Sequence, residues 1–317
     1  MNEYDVVVIG GGAAGLSAAL VLTRARRRVA VVDAGRPRNA PAAHMQGFLG
    51  SDGLPPTELL AAGRDEVAGY GGHLTSGTVT SIVPYATMAA GSRIGFEVTL
   101  EDGPSLHARR VLVTTGLHDD IPDLPGVRER WGRDLLHCPY CHGYEVHDQP
   151  LGVLGGTPEA VVHAHLIRQW SDDVVFFPNG DTLTTDQRQQ LVARAIGIVD
   201  HPVAGLVVEN DHLTGVELVT GQVVPRAAVF VRPRFEPNDT LMTGLGCATH
   251  DNGWVVADAT GRTSVPGVWA AGNVVNPRAQ VITAAGEGSA AAIAINNDLV
   301  EEDIPIAVTN ARLGLPG

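Results

Sequence analysis

The chain has 317 residues, a formal net charge of −13 and 44% hydrophobic residues, with 38 glycines and 5% aromatic residues. The acidic balance and the lack of a long basic run argue against nucleic-acid binding. No run of about 18 apolar residues predicts a membrane span, and three cysteines are too few for a structural disulfide framework. The start "MNEYDVVVIGGG" carries no signal-peptide pattern, so we expect a cytoplasmic α/β protein.

The first predicted unit is a strand, a glycine-rich turn, a helix and a second strand. The apolar run "YDVVVI", residues 4–9, predicts a buried parallel strand, and "LSAALVLTRA" predicts the helix. Between them, Gly10 permits a tight turn, Gly12 lets a pyrophosphate approach the backbone, and Gly15 allows the helix and strand to pack closely. The helix N-terminus then faces the phosphates of a dinucleotide.

The second strand of this unit, "RVAVVDAG", brings an acidic residue to its end. Asp33 follows Gly15 by 18 residues, the position from which a carboxylate accepts hydrogen bonds from a ribose. A lone GxGxxG pattern is weak, but here the strand, helix and acid accompany it. The sequence therefore predicts a dinucleotide site in this unit.

The rest of the chain repeats the pattern with interruptions. A strand "RRVLVTTG" ends at Thr115-Gly116, and the linker "DDIPDLPG" leads to a Cys-x-x-Cys-His stretch at residues 138–142. A second strand–loop–helix unit then begins, with the loop at residues 155–160. A further strand, "SVPGVWAAGNV", precedes a helix of small residues from about Val281, and small residues allow a helix to lie close to a bound cofactor.

This order predicts two Rossmann-like nucleotide-binding domains, the second inserted into the first. We expect the first domain at residues 1–116 and 248–317, and the inserted domain, which carries the two cysteines, at 117–247.

The Cys138–Cys141–His142 stretch has three possible chemistries. It matches a c-type haem attachment signature, but haem attachment normally follows export. It could supply part of a zinc site, although Cys247 is the remaining thiol and a structural site needs four ligands. The third interpretation is a redox dithiol, since a spacing of two residues lets both sulfurs close a small disulfide loop.

Taken together, these elements resemble the low-molecular-weight thioredoxin reductases, a family of flavoproteins. The resemblance covers essentially the whole chain and rests on five elements in the family's order: the first glycine motif with Asp33, Thr115-Gly116, the cysteine pair, the second glycine motif, and "GVWAAGNV…AQVITAAGEG". It implies FAD in the first domain, a dithiol that exchanges electrons with the flavin, and a homodimer. It makes Cys141 the sulfur nearer the flavin and Cys138 the outer, exchanging one.

By the same resemblance, the FAD contacts fall on the following positions: Gly10, Gly12, Ala13, Ala14, Gly15, Asp33, Ala34, Arg38, Asn39, His44, Val79, Thr115, Gly116, Gly272, Asn273, Gln280 and Val281. Asn273 stands where the family often has Asp, and an amide can still hydrogen-bond a hydroxyl. No metal is implied.

Within the family, "GRPRN" and "HMQGFLGSDG" resemble a branch of dithiol oxidases of disulfide-containing natural products, the gliotoxin and holomycin type, and most strongly the holomycin-type enzymes. Two departures from the reductases agree with this. The second glycine motif has Thr157 and Pro158 where the reductases have an intact GxGxxA, and no arginine follows strand "VVFF" to meet a 2′-phosphate. His142 replaces the acid that follows the second cysteine in reductases, and His exchanges protons near neutral pH.

We therefore expect an FAD-dependent oxidase of a small-molecule dithiol that uses Cys138, Cys141 and His142 and passes electrons to O2. Two alternatives stay open: an NAD(P)H-dependent disulfide reductase with a divergent but working nucleotide site, and a non-catalytic redox sensor. We expect Cys247 to fill the core. His73, His107, His163 and His250 are expected on the surface or packed, His137 is ambiguous, and Trp131 and Tyr140 could line a substrate pocket or the core.

Overall fold

The computed structural model describes residues 3–87 and 93–313. Within them the chain divides into two compact units. The first comprises the described residues of Met1–Ala40, Pro56–His118 and Pro237–Gly317, and the second comprises Pro41–Pro55 and Asp119–Glu236.

The strands, in chain order, are β1 (Glu3–Ile9), β2 (Val29–Asp33), β3 (His73–Ser76), β4 (Val79–Thr87), β5 (Arg93–Leu100), β6 (Leu106–Val113), β7 (Leu117–Asp120), β8 (Leu135–Leu136), β9 (Leu151–Leu154), β10 (Val174–Phe177), β11 (Gly197–Ile198), β12 (Val203–Glu209), β13 (His212–Leu218), β14 (Val223–Pro225), β15 (Ala228–Val231), β16 (Arg234–Pro237) and β17 (Val268–Ala270). The α-helices are α1 (Ala13–Arg24), α2 (Pro56–Gly69), α3 (Val127–Arg130), α4 (Pro139–His142), α5 (Ala160–Ile167), α6 (Thr185–Ala193), α7 (Thr240–Gly244) and α8 (Val281–Leu313).

The first unit is built on a mixed sheet with β1 at its centre. The strand order is β3-β2-β1-β6-β5-β4, and β17 also pairs with β6. Strand β1 is parallel to β2 and to β6, so Val7 lies between Ala30 and Val111, whereas β5 is antiparallel to both β4 and β6. A central parallel strand is covered on both faces, which explains the unbroken apolar run of β1.

Alternation along β1 divides the core of this unit into two layers. Val6 and Val8 pack with α1 and α8, and Val7 and Ile9 pack on the opposite face with β5 and α7. Helices α1 and α8 approach closely at Gly288, where an added Cβ would lie 2.0 Å from the Ala14 carbonyl oxygen. The small-residue pattern of α8 therefore serves helix–helix packing in this unit.

The second unit has a five-stranded parallel sheet in the order β11-β10-β9-β15-β8. Helix α5 covers one face through Ala164 and Ile167, and the other face packs against the antiparallel sheet β12-β13-β14. Helix α6 begins with a capping box between Thr184 and Gln187. Strands β7 and β16 form a separate two-stranded ribbon.

The α/β class with two Rossmann-like folds, predicted from the sequence, is confirmed. The segment Pro41–Pro55 lies in the second unit, whereas the sequence boundaries include it in the first domain. The reason is local contact: Gln46 donates a hydrogen bond to Glu145 at 3.1 Å, and Gly132 lies directly against Pro41. Among the described residues, no helix has both the length and the apolar character that crossing a bilayer requires.

Candidate active site

The glycine loop of the first unit is shaped for close packing on one side and is open on the other. A Cβ at Gly15 would lie 1.9 Å from the Gly10 carbonyl oxygen, and Gly10 has φ +109° and touches Thr114. At Gly12 a Cβ would meet nothing within 4 Å. Gly12 is the N-cap of α1, and its carbonyl accepts from the Leu16 amide at 2.9 Å. The loop thus leaves an open face at a helix N-terminus, where a phosphate binds favourably.

Asp33 lies at the end of β2, beside this loop. A Cβ at Gly11 would be 2.7 Å from the Asp33 Cγ, so a larger residue there would displace the carboxylate. The acid is half-buried. The spacing of glycines and acid that the sequence predicts therefore places a carboxylate next to the open loop, as a dinucleotide ribose requires.

Asn273 is held at the end of the first unit's sheet, after β17. Its Nδ2 donates to the Asn276 and Ala279 carbonyls at 2.9 and 3.0 Å, and its Oδ1 accepts from Arg38 Nη1 at 3.2 Å. Both amide hydrogens are therefore used within the protein, and the amide can address a ligand only through its oxygen.

Two polar groups at this end were not expected from the sequence. Glu287, on α8, accepts from the Gly272 amide at 2.9 Å and from Asn276 Nδ2 at 2.6 Å. The backbone carbonyl of Asn238 accepts from the Thr115 hydroxyl at 2.6 Å, and the Asn238 side-chain amide donates to the Thr115 carbonyl at 2.9 Å. A single acid within the small-residue stretch "AAGEGSA" was the available signal for Glu287, whereas Asn238 lies too far along the chain to be found by pattern.

The other predicted cofactor residues occupy defined places. Ala13 and Ala14 form the first turn of α1, Val79 begins β4, and Val281 begins α8, where the Gln280 carbonyl accepts from the Ala284 amide at 2.8 Å. Three more of the predicted cofactor residues lie on the segment that follows β2 in the first unit: Ala34, Arg38 and Asn39. Gly116 adopts φ +71° before β7. His44 belongs to the second unit, with its Nδ1 3.0 Å from the Gly53 carbonyl oxygen. Their role in binding FAD stays a prediction.

The two cysteines of the second unit lie on one helical turn. Cys138 is the N-cap of α4, and its carbonyl accepts from the amides of Cys141 and His142, both at 3.1 Å. Gly143 closes the turn by donating to Pro139 at 2.7 Å. Both cysteines are half-buried. A dithiol on one turn after a strand is an arrangement suited to thiol–disulfide exchange.

His142 ends the same turn and is half-buried. Burial lowers the pKa of its imidazole below the ordinary value of 6.5, and the nearby Glu145 carboxylate opposes part of that change. The imidazole is therefore neutral at pH 7 and can accept a proton from a thiol.

The second glycine loop differs from the first in where its helix begins. Strand β1 ends at Ile9 and α1 starts at Ala13, whereas β9 ends at Leu154 and α5 starts only at Ala160. The N-cap of α5 is Glu159, so the helix begins two residues later after its strand than α1 does.

In this second loop, one backbone amide already donates a hydrogen bond to an acidic side chain. The Gly156 amide donates to Asp181 Oδ2 at 2.7 Å, and the Thr157 hydroxyl is buried without a hydrogen-bond partner among the described residues. Asp181 lies in a loop four positions after the end of β10, where no sequence motif points to it. Its carboxylate already accepts the hydrogen bond that the Gly156 amide would otherwise donate to a phosphate.

The remaining candidates have local partners. Cys247 is buried in the first unit, where its sulfur contacts the Thr263 hydroxyl at 3.5 Å and burial raises its thiol pKa. His73 contacts the Tyr4 hydroxyl at 2.7 Å, His107 packs edge-on to Tyr85, and His250 is exposed. Trp131 is half-buried, and the exposed Tyr140 ring packs edge-on to Trp170. In the described part of the chain, no group of three or more His, Cys, Asp or Glu residues could hold a metal ion.

The fold, the glycine loops and the cysteine turn together define a class. The sequence profile of the pyridine nucleotide-disulphide oxidoreductases matches residues 4–288, and the chain belongs to this family. It is an enzyme, a thioredoxin reductase-like disulfide oxidoreductase, which confirms the family predicted from the sequence. Members of this family are typically flavin-dependent.

Three comparisons give its particular relatives. The crystal structure of HlmI superposes with a TM-score of 0.94 at 58% identity, covering 98% of this chain and 96% of that one. An oxidoreductase from Agrobacterium tumefaciens gives a TM-score of 0.85 at 34% identity, over 94% and 99% of the two chains. The thioredoxin reductase sirT of Leptosphaeria maculans is 31% identical, over 95% of this chain and 96% of its own.

Proposed function

We propose that this protein is an FAD-dependent dithiol oxidase that closes an intramolecular disulfide in a small-molecule natural product and delivers the electrons to O2. The observation that carries the proposal is the single turn bearing Cys138, Cys141 and His142. It combines an exchanging dithiol with an imidazole whose pKa is lowered by burial.

Three observations in the first unit support FAD as the cofactor. The open face at Gly12 gives a pyrophosphate room to approach the backbone, and Asp33 lies beside it as a ribose acceptor. Asn273 has a free lone pair only on its oxygen side, which suits a hydroxyl donor. Bound FAD supplies the two-electron acceptor chemistry that connects a thiol pair to O2.

The thiol chemistry starts from the oxidised Cys138–Cys141 pair. A substrate thiol loses its proton to His142 and attacks the Cys138 sulfur, which breaks the Cys138–Cys141 bond and releases the Cys141 thiolate. The second substrate thiol then attacks the substrate sulfur of the mixed disulfide and releases Cys138. The substrate has lost two electrons and two protons, and both cysteines are reduced. Over a full cycle, one dithiol and one O2 give one disulfide and one H2O2.

The second unit supports an enzyme that does not use a nicotinamide. Asp181 holds the Gly156 amide, Thr157 replaces the glycine that allows a pyrophosphate to approach, and α5 begins late. An anionic pyrophosphate entering this loop would meet a carboxylate where it needs donors. These features favour electrons that enter from a thiol substrate rather than from NADPH.

The relatives support the substrate class. The chain is similar to HlmI over nearly its whole length, and its motifs resemble the holomycin-type dithiol oxidases, so we propose a dithiolopyrrolone-type dithiol as substrate. The homodimer that the resemblance implies stays a prediction.

A second candidate is an NAD(P)H-dependent disulfide reductase, favoured by the name of the relative sirT and by the nucleotide-type fold of the second unit. Anaerobic spectroscopy separates the two. We expect dithiothreitol to bleach the flavin absorbance of the purified protein and NADPH to leave it unchanged. Rapid bleaching by NADPH would instead establish the reductase.

A further inference from the structure

Glu287 is a half-buried acid on α8 that the proposed chemistry does not use. Both of its carboxylate oxygens are engaged, because Oε2 accepts from the Gly272 amide at 2.9 Å and Oε1 accepts from Asn276 Nδ2 at 2.6 Å. A carboxylate removed from water needs such partners, since leaving it without them is costly. The two donors both belong to the turn that follows β17, so the acid joins α8 to this turn.

The turn carries Asn273 between the two residues that Glu287 holds. Gly272 precedes Asn273 in the chain, and the Asn276 carbonyl accepts from Asn273 Nδ2 at 2.9 Å. The Ala279 carbonyl accepts from the same nitrogen at 3.0 Å. Glu287 therefore acts on Asn273 by two routes, through the backbone that precedes it and through the residue that orients its side-chain amide.

The orientation of the Asn276 amide is determined from its other side. Its Oδ1 accepts from the Arg278 backbone amide at 3.1 Å, so its Nδ2 faces Glu287. An ionised carboxylate suits this place because it offers acceptors to both Gly272 and Asn276. A glutamine at position 287 would place an NH2 group against one of these donors. A flip of the Asn276 amide would then move the clash to the Arg278 amide.

This turn lies beside the first helix of the unit. Gly272 has φ +76°, and a Cβ there would lie 3.0 Å from the Ala14 Cβ, in the first turn of α1. Gly288, the neighbour of Glu287 on α8, lies against the Ala14 carbonyl oxygen. The turn is therefore packed against the same helix end that borders the open glycine loop.

FAD carries hydroxyl groups on both sides of its pyrophosphate, on the adenosine ribose and on the ribityl chain of the flavin half. In the proposed function the pyrophosphate approaches Gly12, and Asp33 accepts from the ribose. The Asn273 oxygen is the acceptor that remains for the ribityl chain, because the amide nitrogen of Asn273 already donates to two carbonyls.

We propose that Glu287 and Asn276 are positioning residues for the ribityl chain of FAD: they hold the turn so that the Asn273 oxygen meets a ribityl hydroxyl. The inference rests on FAD binding in the proposed function and extends it to residues behind the site. Exchanging the two groups tests it, since Glu287→Gln with Asn276→Asp reverses donor and acceptor but keeps every hydrogen bond. In that double variant the new amide donates to the new carboxylate, its oxygen accepts from Gly272, and the carboxylate still accepts from Arg278.

The test is isothermal titration calorimetry of the full-length chain freed of flavin, with FAD and with ADP, at pH 8. We expect Glu287→Gln and Asn276→Asp each to weaken FAD binding by about tenfold, and the double variant to return to within about threefold of wild type. ADP affinity should stay unchanged, because ADP has the ribose and pyrophosphate but no ribityl chain. Glu301→Gln removes the same charge from an exposed position of α8 and is the matched control.

Wild-type FAD affinity in both single variants, or a double variant that binds FAD no better than they do, would overturn the proposal. A parallel loss of FAD and ADP affinity would overturn it too, because it would give Glu287 a purely structural role. Thermal melting verifies each fold, and a single variant that does not fold is judged through the double variant, which must fold and bind FAD. A wild-type chain that binds no FAD would refute the cofactor itself. The titration needs neither a dithiol nor O2, so failure of the oxidase proposal would be recognised separately.

Discussion

The carboxylate of Asp181 accepts a hydrogen bond from the Gly156 amide at 2.7 Å, inside the glycine-rich loop of the second unit. In the first unit the corresponding stretch is open at Gly12 and borders a helix that starts three residues after Gly10. The same strand–loop–helix pattern therefore occurs twice in the chain, once open to an anion and once bonded to an acid.

This pairing predicts that NADPH binding can be partly restored. Wild-type protein should show no saturable NADPH binding in a fluorescence titration, because Asp181 and the Thr157 side chain oppose the pyrophosphate. Asp181→Ala with Thr157→Gly removes the charge and the crowding, and we expect at least about a tenfold gain in affinity, the equivalent of ~1.4 kcal/mol.

The control for that experiment is Asp186→Ala with Thr157→Gly, which removes the same charge from α6 instead. It should bind less tightly than the Asp181 variant. Micromolar NADPH binding by the wild-type protein would contradict the interpretation of the loop.

Substitution should distinguish the two exchanging cysteines from the buried one. Cys138→Ser and Cys141→Ser each remove one sulfur of the exchanging pair, so dithiol-dependent turnover should fall by about 10³-fold or more. Cys247→Ala is the matched control, since this thiol is buried against Thr263 in the first unit, and it should retain turnover. Steady-state rates with dithiothreitol provide the measurement. Turnover that survives Cys138→Ser would contradict the exchanging role of this cysteine.

His142 predicts a specific pH dependence. Burial lowers its pKa below 6.5, so the neutral, proton-accepting form predominates at pH 7 and is lost as the pH falls through that lowered value. The acid limb of kcat/KM should therefore lie below pH 6.5. His142→Gln should lower kcat/KM by roughly 10²-fold and abolish the limb. If the acid limb were unchanged in that variant, the limb would reflect the titration of another group.

A substitution at Gly12 should weaken cofactor binding and leave folding intact. A Cβ there meets no protein atom within 4 Å, so Gly12→Ala should leave the melting temperature of the flavin-free protein within about 2 °C. The added methyl group lies where a pyrophosphate must approach the backbone, so flavin retention on gel filtration should fall. Gly69→Ala, at another position where a Cβ meets nothing, should keep its flavin. Equal flavin retention by both variants would contradict a pyrophosphate site at Gly12.

His163 makes stability depend on pH. Burial of its ring lowers its folded pKa to about 4, below the unfolded value of about 6.5, so the unfolded chain binds the extra proton between these values. Stability is fully present above pH 6.5 and falls as the pH drops toward 4, by roughly 3 kcal/mol from this residue. Urea unfolding of wild type and His163→Phe at pH 7 and pH 4.5 measures the difference. The variant should lose less stability on acidification, and equal losses would contradict the assignment.

The sequence predicts those parts of the molecule in which local pattern and contact coincide. Gly10, Gly15 and Asp33 act within one strand–turn–helix unit, so their spacing determines their geometry. Cys138 and Cys141 share one turn for the same reason. The family was identified because such local motifs recur in a fixed order.

What the sequence did not predict arises from tertiary contact. Asp181 reaches Gly156 across 25 positions, and Asn238 meets Thr115 across 123. The burial of His163 depends on Phe230 and His137, which come from other elements of its unit. No local periodicity reports such encounters. Chain order places the segment Pro41–Pro55 with its neighbours in the first domain, whereas its contacts place it in the second unit.

We propose that electrons run from a small dithiol to O2 without a nicotinamide. An oxygen electrode with a coupled peroxide assay, supplied with dithiothreitol and then with a reduced dithiolopyrrolone, tests it directly. We expect one O2 to be consumed and one H2O2 to be formed per dithiol, with no change when NADPH is added. Oxygen uptake that requires NADPH, or a flavin that no dithiol reduces, would contradict it.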